Sequence, residues 1–482
     1  MKLGYIAIDE GTTNCKVLAY SQDGAVLAEA SRTLTLRNPA AGHFEQDAAE
    51  ILSAVDDALA QLLADLPDLQ VRGISISNQR ESVVVFDCAT ATPLTPVIGW
   101  QDSRTTHACQ HLIDAGWSDT FRAATGLHLD PMYSATKMAA ALDLAQGSIT
   151  ATTRVGTIDA LLVAHLTGGA ACATDPTNAS RTLLYNIHAA TWDPQLCEVM
   201  RIPMEALPQV RASNSIFGTY GGTLERLAGV PVVGVLGDSH AALYGQHCSE
   251  GIGKVTFGTG SSIMIPTASA QVATSPVDTT IGFTLDTKVT YAREGNVLAA
   301  GAGIDTAADL LRFPSGKDLV AAAADTATTP LTYVPAFSGL AAPWWDRDAV
   351  GLLVGLRRDS TNAQVARAVI ESVGHQLADI VDVVRAEGTD LALLRADGGL
   401  TRSPLFVQAT ADILDVAIET ADQSDISAYG AARMCATGLG ELAEFDSGSV
   451  AYTRFESHIA HSQRQQSRRQ WRDAINRSRT AA

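Results

Sequence analysis

Twice in this chain an apolar strand runs into a glycine-and-hydroxyl bend and then resumes as a strand. No other feature restricts the fold as much. Residues 5–8 are strand formers stopped by Asp9 and turned by Gly11-Thr12-Thr13-Asn14. Residues 16–20 read as a second strand and, past the hairpin signal Gln22-Asp23-Gly24, residues 25–28 as a third. Residues 251–265 follow the same plan, with Gly258-Thr259-Gly260-Ser261-Ser262 at the bend. Glycine lets backbone N–H groups approach phosphate oxygens, threonine hydroxyls donate, and an aspartate such as Asp9 can hold magnesium through water. A plain turn with polar tips uses the same residues. Two such bends, one per half, point to a duplicated architecture with a nucleotide between the halves.

The 482 residues suffice for at least two domains. A net charge of −18 and a pI near 4.9 argue against nucleic acid and anionic membranes as partners. No apolar run is long enough to span a membrane, and no signal peptide precedes the first strand. The seven cysteines are dispersed without CxxC spacing, as expected of reduced thiols in a cytoplasmic protein. The tail after His461, rich in Arg and Gln, reads as solvated.

Between the two bends, Asp47 opens a helical pattern with Ile51, Val55, Leu59 and Leu62 on one face. Residues 71–77 form a strand that delivers Asn78-Gln79-Arg80-Glu81 to its end, where α/β proteins place ligands. An Arg beside a Glu is also an ordinary surface pair. Trp100 follows another apolar run and suits either a core or the wall of a polyol pocket. Residues 230–237 make a buried-type strand ending at Asp238, which opens a small-residue helix beginning at Ser239. Asp238 is there either as an N-cap or as a general base aimed into a cleft. In the second half, Thr361 and Gln364 have capping-box spacing, Asp397-Gly398-Gly399 bends after a strand, and Ser403-Pro404 opens a helix. The Lys254 region is no Walker loop, which needs Gly at Cys248 and Ser or Thr at Val255.

Taken together, these motifs resemble the FGGY carbohydrate kinases, and within them the branch that phosphorylates glycerol. The resemblance runs from about Tyr5 to Gly440. It is carried by residues 9–13, 78–81, 100–102 and 130–137, then by residues 174–182, Gly237-Asp238, Phe257-Gly-Thr-Gly260, residues 337–343 and Asp397-Gly-Gly399. It implies an α/β protein of two actin-like (ribonuclease H-like) ATPase domains flanking a central cleft. Residues 1–246 would bind the acceptor, and residues 247–482 the nucleotide.

By the same resemblance, Asp238 is the base that takes the proton from the attacking hydroxyl, and Arg80, Glu81, Trp100 and Ser239 complete the acceptor site. Thr12, Thr13, Asn14 and Lys16 meet the phosphates with Gly258 and Thr259, while Gly301, Asp305, Gly399 and Ser403 lie on the nucleoside side. Asp9 and Asp238 would hold Mg2+ through water. ATP and Mg2+ are the expected cofactors, and the partners reduce to a small polyol or ketose and, at most, further copies of the chain in a homo-oligomer.

Departures bear on the acceptor. Members of the glycerol branch usually carry Tyr where Met132 stands and often an aromatic at Ser262; Asp305 replaces a glutamine and Ser403 an asparagine. The expected activity is phosphorylation of a terminal hydroxyl of glycerol or a close small polyol. The alternative is a pentulose or tetritol kinase of the same family. A non-kinase actin-like ATPase is the distant third.

Overall fold

The computed structural model describes residues 2–270, 275–326, 329–423, 425–448 and 450–479. In the first half the strands are β1 (Lys2–Glu10), β2 (Asn14–Ser21), β3 (Val26–Thr33), β4 (Leu69–Asn78), β5 (Ile216–Thr219) and β6 (Pro231–Gly237). They form one sheet in the order β3-β2-β1-β4-β6-β5. The second half supplies β7 (Gly251–Phe257), β8 (Ser261–Thr267), β9 (Asp278–Leu285), β10 (Lys288–Val297), β11 (Leu391–Asp397), β12 (Ala417–Ala421) and β13 (Tyr452–Phe455). Their order is β9-β10-β8-β7-β11-β12-β13. Antiparallel β1–β2 and parallel β1–β4 match antiparallel β7–β8 and parallel β7–β11. The duplication expected from the two bends is thus a duplication of sheets, each of the actin-like, ribonuclease H-like kind.

Strand β1 is apolar on both faces because both faces are covered. Ile6 and Ile8 join Val55, Leu59 and Leu62 of helix α1 (Ala48–Asp65). Tyr5 and Ala7, pointing the other way, meet Ala428, Tyr429 and Ala432 of helix α6 (Ile426–Gly438), which comes from the second half. In return, helix α2 (Asp238–Gly245) of the first half places Ala241 and Leu243 against Met264 and Ala292 of the second sheet. Helices α3 (Gly301–Leu310), α4 (Asn362–Ala386) and α5 (Pro404–Leu414) cover that sheet's far face through Ile304, Val373, Ile380 and Phe406.

Where α2 and α6 cross, the backbones touch. A Cβ on Gly430 would lie 1.8 Å from the Ala241 carbonyl oxygen. Only glycine permits this approach. The two halves are therefore joined by a crossing of small-residue helices.

Local signals hold where they are strong. Asp47 caps α1, Thr361 and Gln364 close a full capping box on α4, and Ser403 caps α5. Two expectations fail. Asp238 is not an N-cap: Gly237 occupies that position, and Asp238 is the first helical residue. The tail after His461 is not solvated throughout: it is helix α7 (His461–Ser478), exposed on one side and with Trp471 fully buried on the other. Arg464, Arg468, Trp471 and Ile475 recur at helical spacing, so the charged composition hid an amphipathic face.

Candidate active site

The three central strands of the first sheet end together. Glu10 pairs with Asn78, and Asn78 with Gly237. The 11–14 bend, the Gln79-Arg80-Glu81 turn and Asp238 are thereby gathered at one carboxyl edge, where open α/β sheets bind ligands.

Arg80 is the hub. Its Nη1 donates to Glu294 Oε1 and Oε2 at 2.9 and 3.1 Å, and its Nε lies 3.3 Å from Asp238 Oδ1. Its Nη2 has no partner among the described residues. Glu81 adopts a positive φ of 61° and accepts from Arg181 Nε at 2.7 Å. Arg181 Nη1 reaches Glu294 Oε2 at 2.7 Å, and its guanidinium lies over the Tyr133 ring. Arg80, Arg181, Glu81 and Glu294 are all buried, so each charge needs the others. Burial alone would raise the Glu294 carboxyl, but Arg181 and Arg80 outweigh it and hold the group below its usual range.

Asp238 keeps 43% of its side chain exposed within the cleft, so it is open to a ligand. Its pKa is raised, mainly by burial of its surroundings, with Arg80 and Lys254 pulling the other way. A raised carboxylate flanked by a fixed arginine has the character of a general base. Asp9 accepts from Ser77 Oγ at 2.7 Å and is pushed up to about 6 by burial, with the charges of Asp238 and Asp425 adding to it. Acids that raise one another can be relieved by a cation. Among the described residues no group of three or more His, Cys, Asp or Glu is placed to hold a metal. Magnesium asks less: one or two carboxylates, water and nucleotide phosphates. Asp9 and Asp238 fit that donor set.

Trp100 Nε1 donates to Thr12 Oγ1 at 3.1 Å, which ties Trp100 to the first bend. Gln79 Nε2 bridges Glu10 Oε1 and Gln46 Oε1 at 2.8 and 2.9 Å. Lys137 is fully buried and donates to the Met132 carbonyl oxygen. Burial lowers its pKa to about 8.

Thr13 and Asn14 are exposed on the first bend, and Gly258 and Thr259 on the second. The Gly301 N–H donates to the Gly258 carbonyl at 3.0 Å, seating the start of α3 on that bend, where a Cβ on Gly301 would be 2.6 Å from the same oxygen. Gly399 is exposed beyond β11, with open space where a Cβ would go. Ser403 faces inward as the cap of α5, and Asp305 is exposed on α3. Lys16 is engaged by Asp425 of the other half and lies 3.7 Å from Glu29. Ser239 gives its N–H to Asp238 Oδ1.

Arg181, Glu294 and Lys137 did not emerge as site residues from the sequence. Glu294 follows Arg293 in the mixed stretch Lys288–Val297, which carries no local mark of a buried carboxylate. Arg181 and Lys137 sat inside motifs that were noted but given no role.

A duplicated actin-like fold with glycine-threonine bends facing a buried arginine-carboxylate cluster defines a sugar or polyol kinase, and the sequence comparisons agree. The N-terminal domain of the FGGY family of carbohydrate kinases matches residues 4–245, and the C-terminal domain of that family matches residues 253–439. The chain belongs to this family and is an ATP-dependent kinase. It is 38% identical to a glycerol kinase of Alcanivorax borkumensis over 490 aligned positions, 98% of this chain and 97% of that protein. It is equally 38% identical to an apulose kinase of Pectobacterium atrosepticum, with 98% of each covered. The Plasmodium falciparum glycerol kinase with ADP superposes with a TM-score of 0.91 at 27% identity, covering 100% of this chain and 99% of that one.

Proposed function

We propose that this kinase transfers the γ-phosphoryl group of ATP to a terminal hydroxyl of a small polyol or ketose, glycerol among them. The observation that carries the proposal is the Arg80–Asp238 arrangement at the carboxyl edge of the first sheet.

Phosphoryl transfer needs positioning and neutralisation of charge more than covalent chemistry. Asp238 accepts the proton of the attacking hydroxyl as the new O–P bond forms and the bond to the leaving ADP breaks. Arg80 is fixed by Glu294, which leaves Nη2 free to donate to an acceptor oxygen. Glu81, held by Arg181, offers its other carboxylate oxygen to an acceptor hydroxyl. Trp100 covers the C–H side. Thr12, Thr13 and the Gly258-Thr259 bend face the phosphates, with the nucleoside toward Gly301, Gly399 and Ser403. Asp9 and Asp238 would hold Mg2+, which neutralises phosphate charge when bound.

Two relatives of equal identity differ in their named activities, a glycerol kinase and an apulose kinase. That supports keeping ketoses beside polyols. The residue range 1–246 for acceptor binding and 247–482 for nucleotide binding is supported by the placement of the two bends and the two sheets. The seven dispersed, unpaired cysteines suit a cytoplasmic enzyme. Among the described residues no helix is long and apolar enough to cross a membrane.

Purified protein, ATP, Mg2+ and a panel of glycerol, erythritol, xylulose and ribulose test the proposal through ADP release. Acceptor-dependent release is expected. Hydrolysis of ATP at one rate regardless of added alcohol would sink it.

A further inference from the structure

The space beside the proposed acceptor site is larger than glycerol requires. Trp100, Met132 and Asn296 line a cavity of about 870 Å³ between the halves, which continues past Leu298 toward Trp344 and Arg347. Cavities of this size take ligands far bigger than a three-carbon alcohol. Trp100, which the proposed function gives to the acceptor, is part of its wall, whereas Arg80, Glu81 and Asp238 are not, so the space adjoins the proposed acceptor site.

Asn296 is on the same face of β10 as Glu294, because alternate residues of a strand share a face. Its cross-strand partner is Ser262 on β8, whose Oγ is 3.5 Å from Glu294 Oε1. Glu294 in turn holds Arg80 beside Asp238. Asn296 thus adjoins the reacting end and the cavity wall at once. The residue is half-buried, borders the cavity, and has no side-chain hydrogen-bond partner among the described residues. An amide free of protein partners can exchange its water for a ligand oxygen or hydroxyl.

We propose that Asn296 is a specificity-determining residue: its amide hydrogen-bonds a hydroxyl or carbonyl oxygen on the far part of a four- or five-carbon ketose or polyol, and so ranks such acceptors above glycerol. This rests on the kinase function proposed above. Ser262 contributes by being small. An aromatic ring in its place would occupy the space that the extra carbons need.

The test is kcat/KM for glycerol, erythritol, erythrulose, xylulose and ribulose in the wild type and two variants. The wild type is expected to favour a four- or five-carbon acceptor over glycerol. Asn296→Ala should lower that preference about tenfold or more, the scale of one hydrogen bond to a half-buried amide. Ser262→Phe should move the preference toward glycerol by a separate route, through lost space. A wild type that prefers glycerol overturns the inference and leaves the kinase function standing, as does an Asn296→Ala variant that loses all acceptors in proportion. A wild type that phosphorylates no alcohol overturns both.

Discussion

Glu294 lies on the second sheet, yet it grips Arg80 of the first through both carboxylate oxygens, at 2.9 and 3.1 Å. Arg80 is therefore held in place by the opposite half of the molecule. Glu294 also takes Arg181, so in a buried cluster of two guanidiniums and two carboxylates it is the acid that grips both arginines. Glu294→Gln removes that charge and leaves both arginines short of a partner. Breaking a buried pair costs about 3–5 kcal/mol. Denaturant unfolding is expected to register a loss of that order, and acceptor KM should rise. Unchanged stability would mean that water reaches the cluster.

The α2–α6 crossing makes a second prediction. Gly430→Ala puts a methyl group into the Ala241 carbonyl, and the helices must separate. Overpacking of this kind costs about 1–3 kcal/mol. A lower thermal midpoint is expected, together with a fall in turnover, since Asp238 is the first residue of α2 and shifts with it. Full activity at an unchanged midpoint would show that the crossing is not tight.

Asp159 links stability to pH. It is fully buried in the helix Ile158–Leu166, with hydroxyl hydrogen bonds from Thr157 and Thr174. Burial, with Asp175 adding, raises its pKa from 3.8 to about 7. The folded protein then holds a proton that the unfolded chain releases above about 3.9. Its contribution to stability is complete below that value and is lost as pH rises toward 7. Asp159→Asn mimics the protonated form and should remove this dependence. Its stability relative to wild type is expected to improve between pH 4 and pH 7 in thermal scans. A constant difference across that range would assign the raised pKa to some other group.

How much of this could be read from residues alone depended on distance along the chain. The two bends, the caps at Asp47, Thr361 and Ser403, and the strand-end position of Asp238 are local patterns, and they were legible. Glu294 and Arg181 gain their meaning from contacts between elements far apart in sequence, which no short motif encodes. The swap of α2 and α6 between the sheets was hidden for the same reason: a small-residue helix looks alike whichever sheet it covers. The tail was misread because its composition masked its period.

That tail supplies a further test. Trp471 is fully buried, stacks on His375 with centroids 5.1 Å apart, and donates to Asp379 Oδ2 at 2.8 Å. Asp379 also takes Arg468 and Trp344, so α7 fastens α4 to the loop bordering the cavity. Trp471→Ala is expected to cost about 3–5 kcal/mol. A loss near zero in equilibrium unfolding would return α7 to the role of a solvated appendage.

The most direct test of the whole account is Asp238→Asn, assayed for turnover with ATP and the best acceptor while nucleotide and acceptor binding are measured separately by calorimetry. Removing a general base should lower kcat by about 100- to 10,000-fold, with ATP still bound at close to wild-type affinity. Turnover near the wild-type rate with both ligands bound would contradict it.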